Sequence, residues 1–196
     1  MLNHQKKLIL ASTSPYRKMV LSRLNLSFDT FAPNVDETAL PNELPATLVQ
    51  RLSENKARAA HEIYPNALII GSDQVAVLDE QILNKPLTHE KAIQQLQMCS
   101  GKQVDFLTGL CLLNTKTGRA QVDIVRFSVL FRQLTISQIE NYLRLDKPYN
   151  CAGSFKSESL GIILLERMMG SDPNSMIGLP LIRLVQMLEA EDIYLI

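Results

Sequence analysis

Four polar groups interrupt an otherwise apolar pattern, and their residue types suit phosphate chemistry. In the first, an apolar run ends in Ser12-Thr13-Ser14, followed by Pro15, Tyr16, Arg17 and Lys18. Ser14 is a good helix cap because its hydroxyl accepts from free N–H groups, and Pro15 suits a first helical position. A helix start carries partial positive charge and outward N–H donors, so this junction is predicted to seat an anion, with Arg17 and Lys18 adding two more charges.

The second group is Asp73, flanked by Ser72 and Gln74 inside an apolar strand pattern. Burying a carboxylate costs several kcal/mol unless it is paired, hydrogen-bonded or bound to metal. Such a placement marks a functional candidate. The third group joins the acids Asp36 and Glu37 to the cations Lys56 and Lys85. Singly each reads as a surface residue; together they supply hard oxygen ligands and phosphate counter-charges, the ingredients of a Mg²⁺- or Mn²⁺-assisted reaction. The fourth pairs the small, polar stretch 151–161, which includes Glu158, with Gly170-Ser171-Asp172-Pro173-Asn174. Small residues there let backbone approach a ligand closely.

Alternating strands and helices must position these groups. Strand patterns cover 7–11, 28–31, 67–78, 104–114 and 121–131, the last two joined by a hairpin loop at 115–119. Helical patterns cover 15–24, 47–64, 89–99, 136–145 and 179–190. The order predicts an α/β fold, a single domain over residues 1–196, with a curved mixed sheet flanked by helices and pinched into two lobes.

Composition narrows the function. The 20 basic and 20 acidic residues cancel, which argues against a surface that wraps nucleic acid. No apolar run approaches the roughly 20 residues that span a bilayer, and the polar residues 1–7 lack a signal-peptide core, so no membrane association is expected. Cys99, Cys111 and Cys151 have no C-x-x-C spacing and read as reduced thiols of a cytoplasmic protein. His4, His61 and His89 are isolated, which disfavours structural zinc. Neither the G-x-G-x-x-G nor the Walker pattern occurs, so no dinucleotide cofactor or P-loop is indicated.

As an ordered set, Leu10 to Pro15, Asp36-Glu37, Asn55-Lys56-Ala57, Gly71-Ser72-Asp73, Lys85-Pro86, Thr108-Gly109, Ala152-Gly153 and Asn174 to Pro180 resemble the Maf family of nucleotide pyrophosphatases. The resemblance implies a cleft between two lobes and divalent-metal-dependent cleavage of a nucleoside triphosphate between its α and β phosphates. By the same resemblance Asp73 is the proton acceptor, Ser12, Arg17, Lys56 and Lys85 contact phosphates, and Glu37 supports the metal. From the residues themselves, Asp73 as base and Asp73 as metal ligand stay open alternatives. Tyr16 stands where the family's usual junction has Arg, Lys18 replaces a further Arg, and Gln74 stands where Thr is commoner. These departures, with residues 151–158, resemble the branch that hydrolyses 7-methyl-GTP and make Tyr16, Gln74 and Glu158 its specificity residues. A homodimer is implied by the resemblance alone. The competing readings are a pyrophosphatase for another nucleotide and a nucleotide-binding regulator of cell division.

Overall fold

The computed structural model describes residues 6–196; residues 1–5, with His4 and most of the polar N-terminus, lie outside the described residues. The elements run β1 (Lys7–Ala11), α1 (Pro15–Ser22), β2 (Asp29–Phe31), α2 (Pro45–Arg58), β3 (Ala67–Leu78), β4 (Gln81–Leu83), α3 (His89–Cys99), β5 (Gln103–Asn114), β6 (Ala120–Phe131), α4 (Ile136–Asp146), β7 (Leu165–Met169) and α5 (Leu181–Glu189). Short 3₁₀ turns cover Ala152–Ser154, Leu160–Leu164 and Pro173–Ile177. The strands form one seven-stranded mixed sheet in the order β2-β1-β3-β5-β6-β7, with β4 paired to β3 outside that path. β2, β1 and β3 are parallel; the other pairings are antiparallel.

β3 is apolar on both faces because both are covered. On one face, Ile69 packs with Ile9, Cys111 and Leu113 under Ala57 of α2 and Ala60 of the turn that follows it. On the other, Leu68 and Ile70 meet Val20 and Leu21 of α1 and Leu184, Met187 and Leu188 of α5. Farther along that second face, Ala76 and Leu78 join Phe106, Phe127 and Phe131 beneath Leu96 of α3 and Ile139 and Tyr142 of α4. Two helix groups therefore share one sheet face, and between them β3 turns polar at Ser72 and Gln74.

Side-chain caps start three helices where the sequence offers them: Ser14 for α1, Thr88 for α3, and a capping box of Thr135 with Gln138 for α4. Besides shifts of one or two residues at the ends of other elements, one helix and two strands differ from the pattern. α2 begins at Pro45 and ends at Arg58, because residues 59–63 close it in turns. β4 was not expected; Asp79 and Glu80, both at positive φ, turn β3 directly back into it. β7 was also not expected, and pairs with β6 through only four register positions.

Burial pushes the Cys99 and Cys111 thiols up to about 12 and that of Cys151 to about 11, keeping all three as neutral thiols near neutral pH. Among the described residues, no helix is long and apolar enough to cross a membrane.

Candidate active site

The cleft starts as a gap in the sheet. β1 pairs with β3 only as far as Gly71, and β4 takes up that edge again at Ala76. Residues 72–75 of β3 therefore face an opening beyond the carboxyl end of β1, the place where open α/β sheets bind ligands. The chain leaving β1 enters α1 beside this gap, and the chain leaving β4 brings Lys85 to its other side. A cleft of about 890 Å³ results, within the usual range for small-molecule sites. Ser12, Tyr16, Arg17, Glu37, Lys56, Asp73, Gln74, Lys85 and Glu158 all line it. Lys18 is exposed and lies outside the lining.

Close helix packing places the central ion pair. A Cβ at Gly71 would lie 2.0 Å from the carbonyl oxygen of Ser53, and one at Gly109 would lie 2.2 Å from that of Val49. Only glycine lets α2 rest so near the β3–β5 ladder. That closeness brings Lys56, a residue its sequence context reads as surface, to 6% exposure against Asp73 at 8%. Lys56 Nζ is 2.6 Å from Asp73 Oδ1 and 2.6 Å from Glu37 Oε1. Desolvation pushes the Glu37 carboxyl up, but the Lys56 hydrogen bond and the charges of Lys56, Lys85 and Arg17 outweigh it and hold the group below its usual range. Asp73 Oδ2 accepts no hydrogen bond from a described residue and is open to water.

The α1 junction forms beside this pair. Ser14 Oγ accepts the Arg17 N–H at 3.4 Å, and Ser12 Oγ accepts the Ser14 N–H at 3.1 Å. The Arg17 guanidinium donates from Nε to the Gly178 carbonyl at 2.8 Å and from Nη1 to Ser12 Oγ at 3.5 Å. Burial lowers its pKa, opposed by Asp73 and Glu37. With Nε anchored, the outer edge of the fork is left for an anion.

Asp73 and Gln74 point to opposite faces of the sheet, as successive strand residues must. Gln74 Nε2 donates to the carbonyls of Ser175 (2.7 Å) and Met176 (3.2 Å) and lies 3.0 Å from Thr108 Oγ1. Tyr16 remains 36% exposed at the start of α1. Glu158 is exposed at the rim, its carboxylate accepting from Ser157 Oγ at 3.3 Å. Lys85 is exposed as well. The sequence pattern did not single out Asn84 and Asn150, which also line the cleft, or the backbone carbonyls of Ser175, Met176 and Gly178 that hold Gln74 and Arg17; carbonyls leave no side-chain signature, and the two asparagines resemble ordinary loop residues.

Comparison with known proteins identifies the family. The model of the Maf family, described as Maf-like protein, matches residues 7–191. A relative from Nitrosococcus oceani is 58% identical over 182 residues, covering 93% of this chain and 92% of its own. One from Aliivibrio fischeri is 56% identical, covering 95% and 97%, and one from Pseudoalteromonas translucida is 57% identical, covering 92% and 90%. Each of the three bears the name 7-methyl-GTP pyrophosphatase. With the family match spanning nearly every element that builds the cleft, the chain belongs to the Maf family.

Proposed function

We propose that this protein hydrolyses 7-methyl-GTP to 7-methyl-GMP and pyrophosphate, clearing a modified nucleotide from the cytoplasm. The observation that carries the reading is the joining, in one cleft, of a phosphate seat, a lysine-paired aspartate and an aromatic residue where the usual junction has arginine. The names of the relatives support the same substrate.

The triphosphate lies against the α1 start, where Ser12, the free N–H groups and the Arg17 fork meet anionic oxygens. Lys85 and Lys56 neutralise the far phosphates. Asp73 Oδ2 accepts the proton of a water that attacks the α-phosphorus in line. The bond from that phosphorus to the bridging oxygen breaks, and pyrophosphate leaves with its charge held by Arg17, Lys56 and Lys85.

The donor set also suits a hard divalent cation. Asp73 Oδ1 and Glu37 Oε1 converge on one position, where Lys56 Nζ now provides the positive charge. Among the described residues no group of three or more His, Cys, Asp or Glu could hold an ion. One or two carboxylates completed by substrate phosphates is a common arrangement for Mg²⁺. Asp73 and Glu37 would hold Mg²⁺ or Mn²⁺, which supplies Lewis-acid neutralisation of phosphate charge when bound.

Methylation at N7 makes guanine a cation. Tyr16 offers it a ring face and Glu158 a carboxylate complementary to its charge and its N–H donors. Tyr16→Ala is expected to raise KM for 7-methyl-GTP by about 2- to 30-fold, the range of a cation–π contact, with a smaller effect on turnover. Steady-state kinetics on both nucleotides checks this; an equal rise for GTP would remove base stacking from the account. Pyrophosphate release across a nucleotide panel tests the function itself.

A further inference from the structure

Asp172 is the most deeply buried carboxylate in the described chain, at 1% exposure, and the function proposed above gives it no role. Such a group persists only when hydrogen bonds replace its water. Its Oδ1 accepts from the backbone N–H of Asn174 at 2.9 Å and from Asn174 Nδ2 at 3.1 Å. Its Oδ2 accepts from the backbone N–H of Ile182 at 2.7 Å. Ile182 is in the first turn of α5, whose own cap residue, Pro180, makes no side-chain cap. One carboxylate thus closes both ends of the segment 172–182 and places its charge at the positive end of α5.

Between those ends, the backbone carbonyls of the segment hold side chains from three other elements. Ser175 O accepts from Thr108 Oγ1 at 2.9 Å and from Gln74 Nε2, which also donates to Met176 O. Gly178 O accepts from Arg17 Nε and lies 2.9 Å from Ser72 Oγ. Asn174 Oδ1 accepts from Arg23 at 2.7 Å, tying the segment to the chain just after α1. Two of the Gln74 partners are carbonyls, which only accept. The Gln74 amide must therefore turn its nitrogen to the segment, leaving Oε1 as the atom free to meet a ligand. Gln74 offers a nucleotide an acceptor, not a donor.

We propose that Asp172 is a positioning residue for substrate selection: it fixes the carbonyls that orient Gln74 toward the base and Arg17 toward the phosphates. The identity of the base rests on the function proposed above. The test uses the full chain and Asp172→Asn, in which an NH₂ group faces either the Asn174 N–H or the Ile182 N–H. Kinetics on 7-methyl-GTP and GTP are combined with NMR of the Gln74 side-chain amide in nucleotide-free protein, identified by its loss in Gln74→Ala. The expected result is a loss of about tenfold in the kcat/KM preference for 7-methyl-GTP, the scale of one misaligned hydrogen bond to a charged group, carried mainly by KM. Adding Gln74→Ala to Asp172→Asn should cost little more, because the two act as one unit. The amide protons of Gln74 should exchange faster in Asp172→Asn.

A lowered Tm with unchanged preference and unchanged Gln74 amide exchange would overturn the proposal, as would additive effects of the two substitutions. If Asp172→Asn does not fold, Asp172→Ser, which keeps an acceptor for the Asn174 N–H, takes its place. Failure of both to fold assigns Asp172 to stability and also overturns the proposal. The NMR comparison needs no substrate. Faster Gln74 exchange in a chain whose wild type hydrolyses no nucleotide would leave the clamp standing and sink the functional reading instead.

Discussion

Asp73→Asn is expected to bind 7-methyl-GTP and leave it intact. The amide has the shape of the carboxylate, and its oxygen can still accept from Lys56, which keeps Glu37 as a second partner 2.6 Å away. What disappears is the open Oδ2, the atom proposed to take the proton from water. Removing a general base costs about 10²- to 10⁴-fold in rate, and the loss should fall on kcat. Single-turnover hydrolysis beside a direct measurement of nucleotide affinity checks both halves. A variant with near-normal turnover would move the base elsewhere; one that no longer binds would make Asp73 a binding residue.

The second large effect is expected from Lys56→Met. Methionine keeps an unbranched apolar stem but leaves Asp73, nearly buried, without its cation. Breaking a buried ion pair from one side typically costs 3–5 kcal/mol, and about 3 kcal/mol is expected here because water reaches Asp73 Oδ2. The effect depends on pH. Glu37 has its folded pKa below the ordinary carboxylate value of 4.5, so its pairing stabilises the native state fully above that value. That contribution fades as pH falls through the folded pKa. Lys56→Met removes it, so the gap between variant and wild type should shrink on acidification. Urea unfolding at several pH values measures the gap. A pH-independent difference would assign the loss to packing.

The sequence made the architecture legible where patterns were strong, and the reasons are local. β3, β5 and β6 are long apolar strands, and the hairpin 115–119 carries the glycine at positive φ that its loop requires. The turn into β4 escaped because Asp79 and Glu80 adopt positive φ without the Asn-Gly or Asp-Gly signal that usually marks such a turn. β7 escaped because Leu-Glu-Arg-Met-Met shows no clear alternation and is largely exposed or half-buried.

The candidate site divides in the same way. Asp73 stood out as a charge inside an apolar run, and the structure explains how it is tolerated. The depth of Lys56 was hidden, because it follows from Gly71 and Gly109 admitting α2 so closely, a property of two distant residues. Asp172 stood in a stretch flagged only for small residues. Its grip on Ile182, ten positions later, and the carbonyls it arranges leave no mark in the side-chain pattern.

The proposed activity joins two properties of this cleft: it selects a cationic purine and cleaves its triphosphate at the α-phosphorus. The most direct test compares kcat/KM for 7-methyl-GTP, GTP and the other common nucleoside triphosphates, with Mg²⁺ or Mn²⁺ supplied and products identified. The expected result is 7-methyl-GMP and pyrophosphate, with 7-methyl-GTP preferred over GTP by about tenfold or more, the combined scale of a ring-face contact and a charge-assisted hydrogen bond. Equal use of GTP, release of orthophosphate, or no turnover of any nucleotide would contradict it.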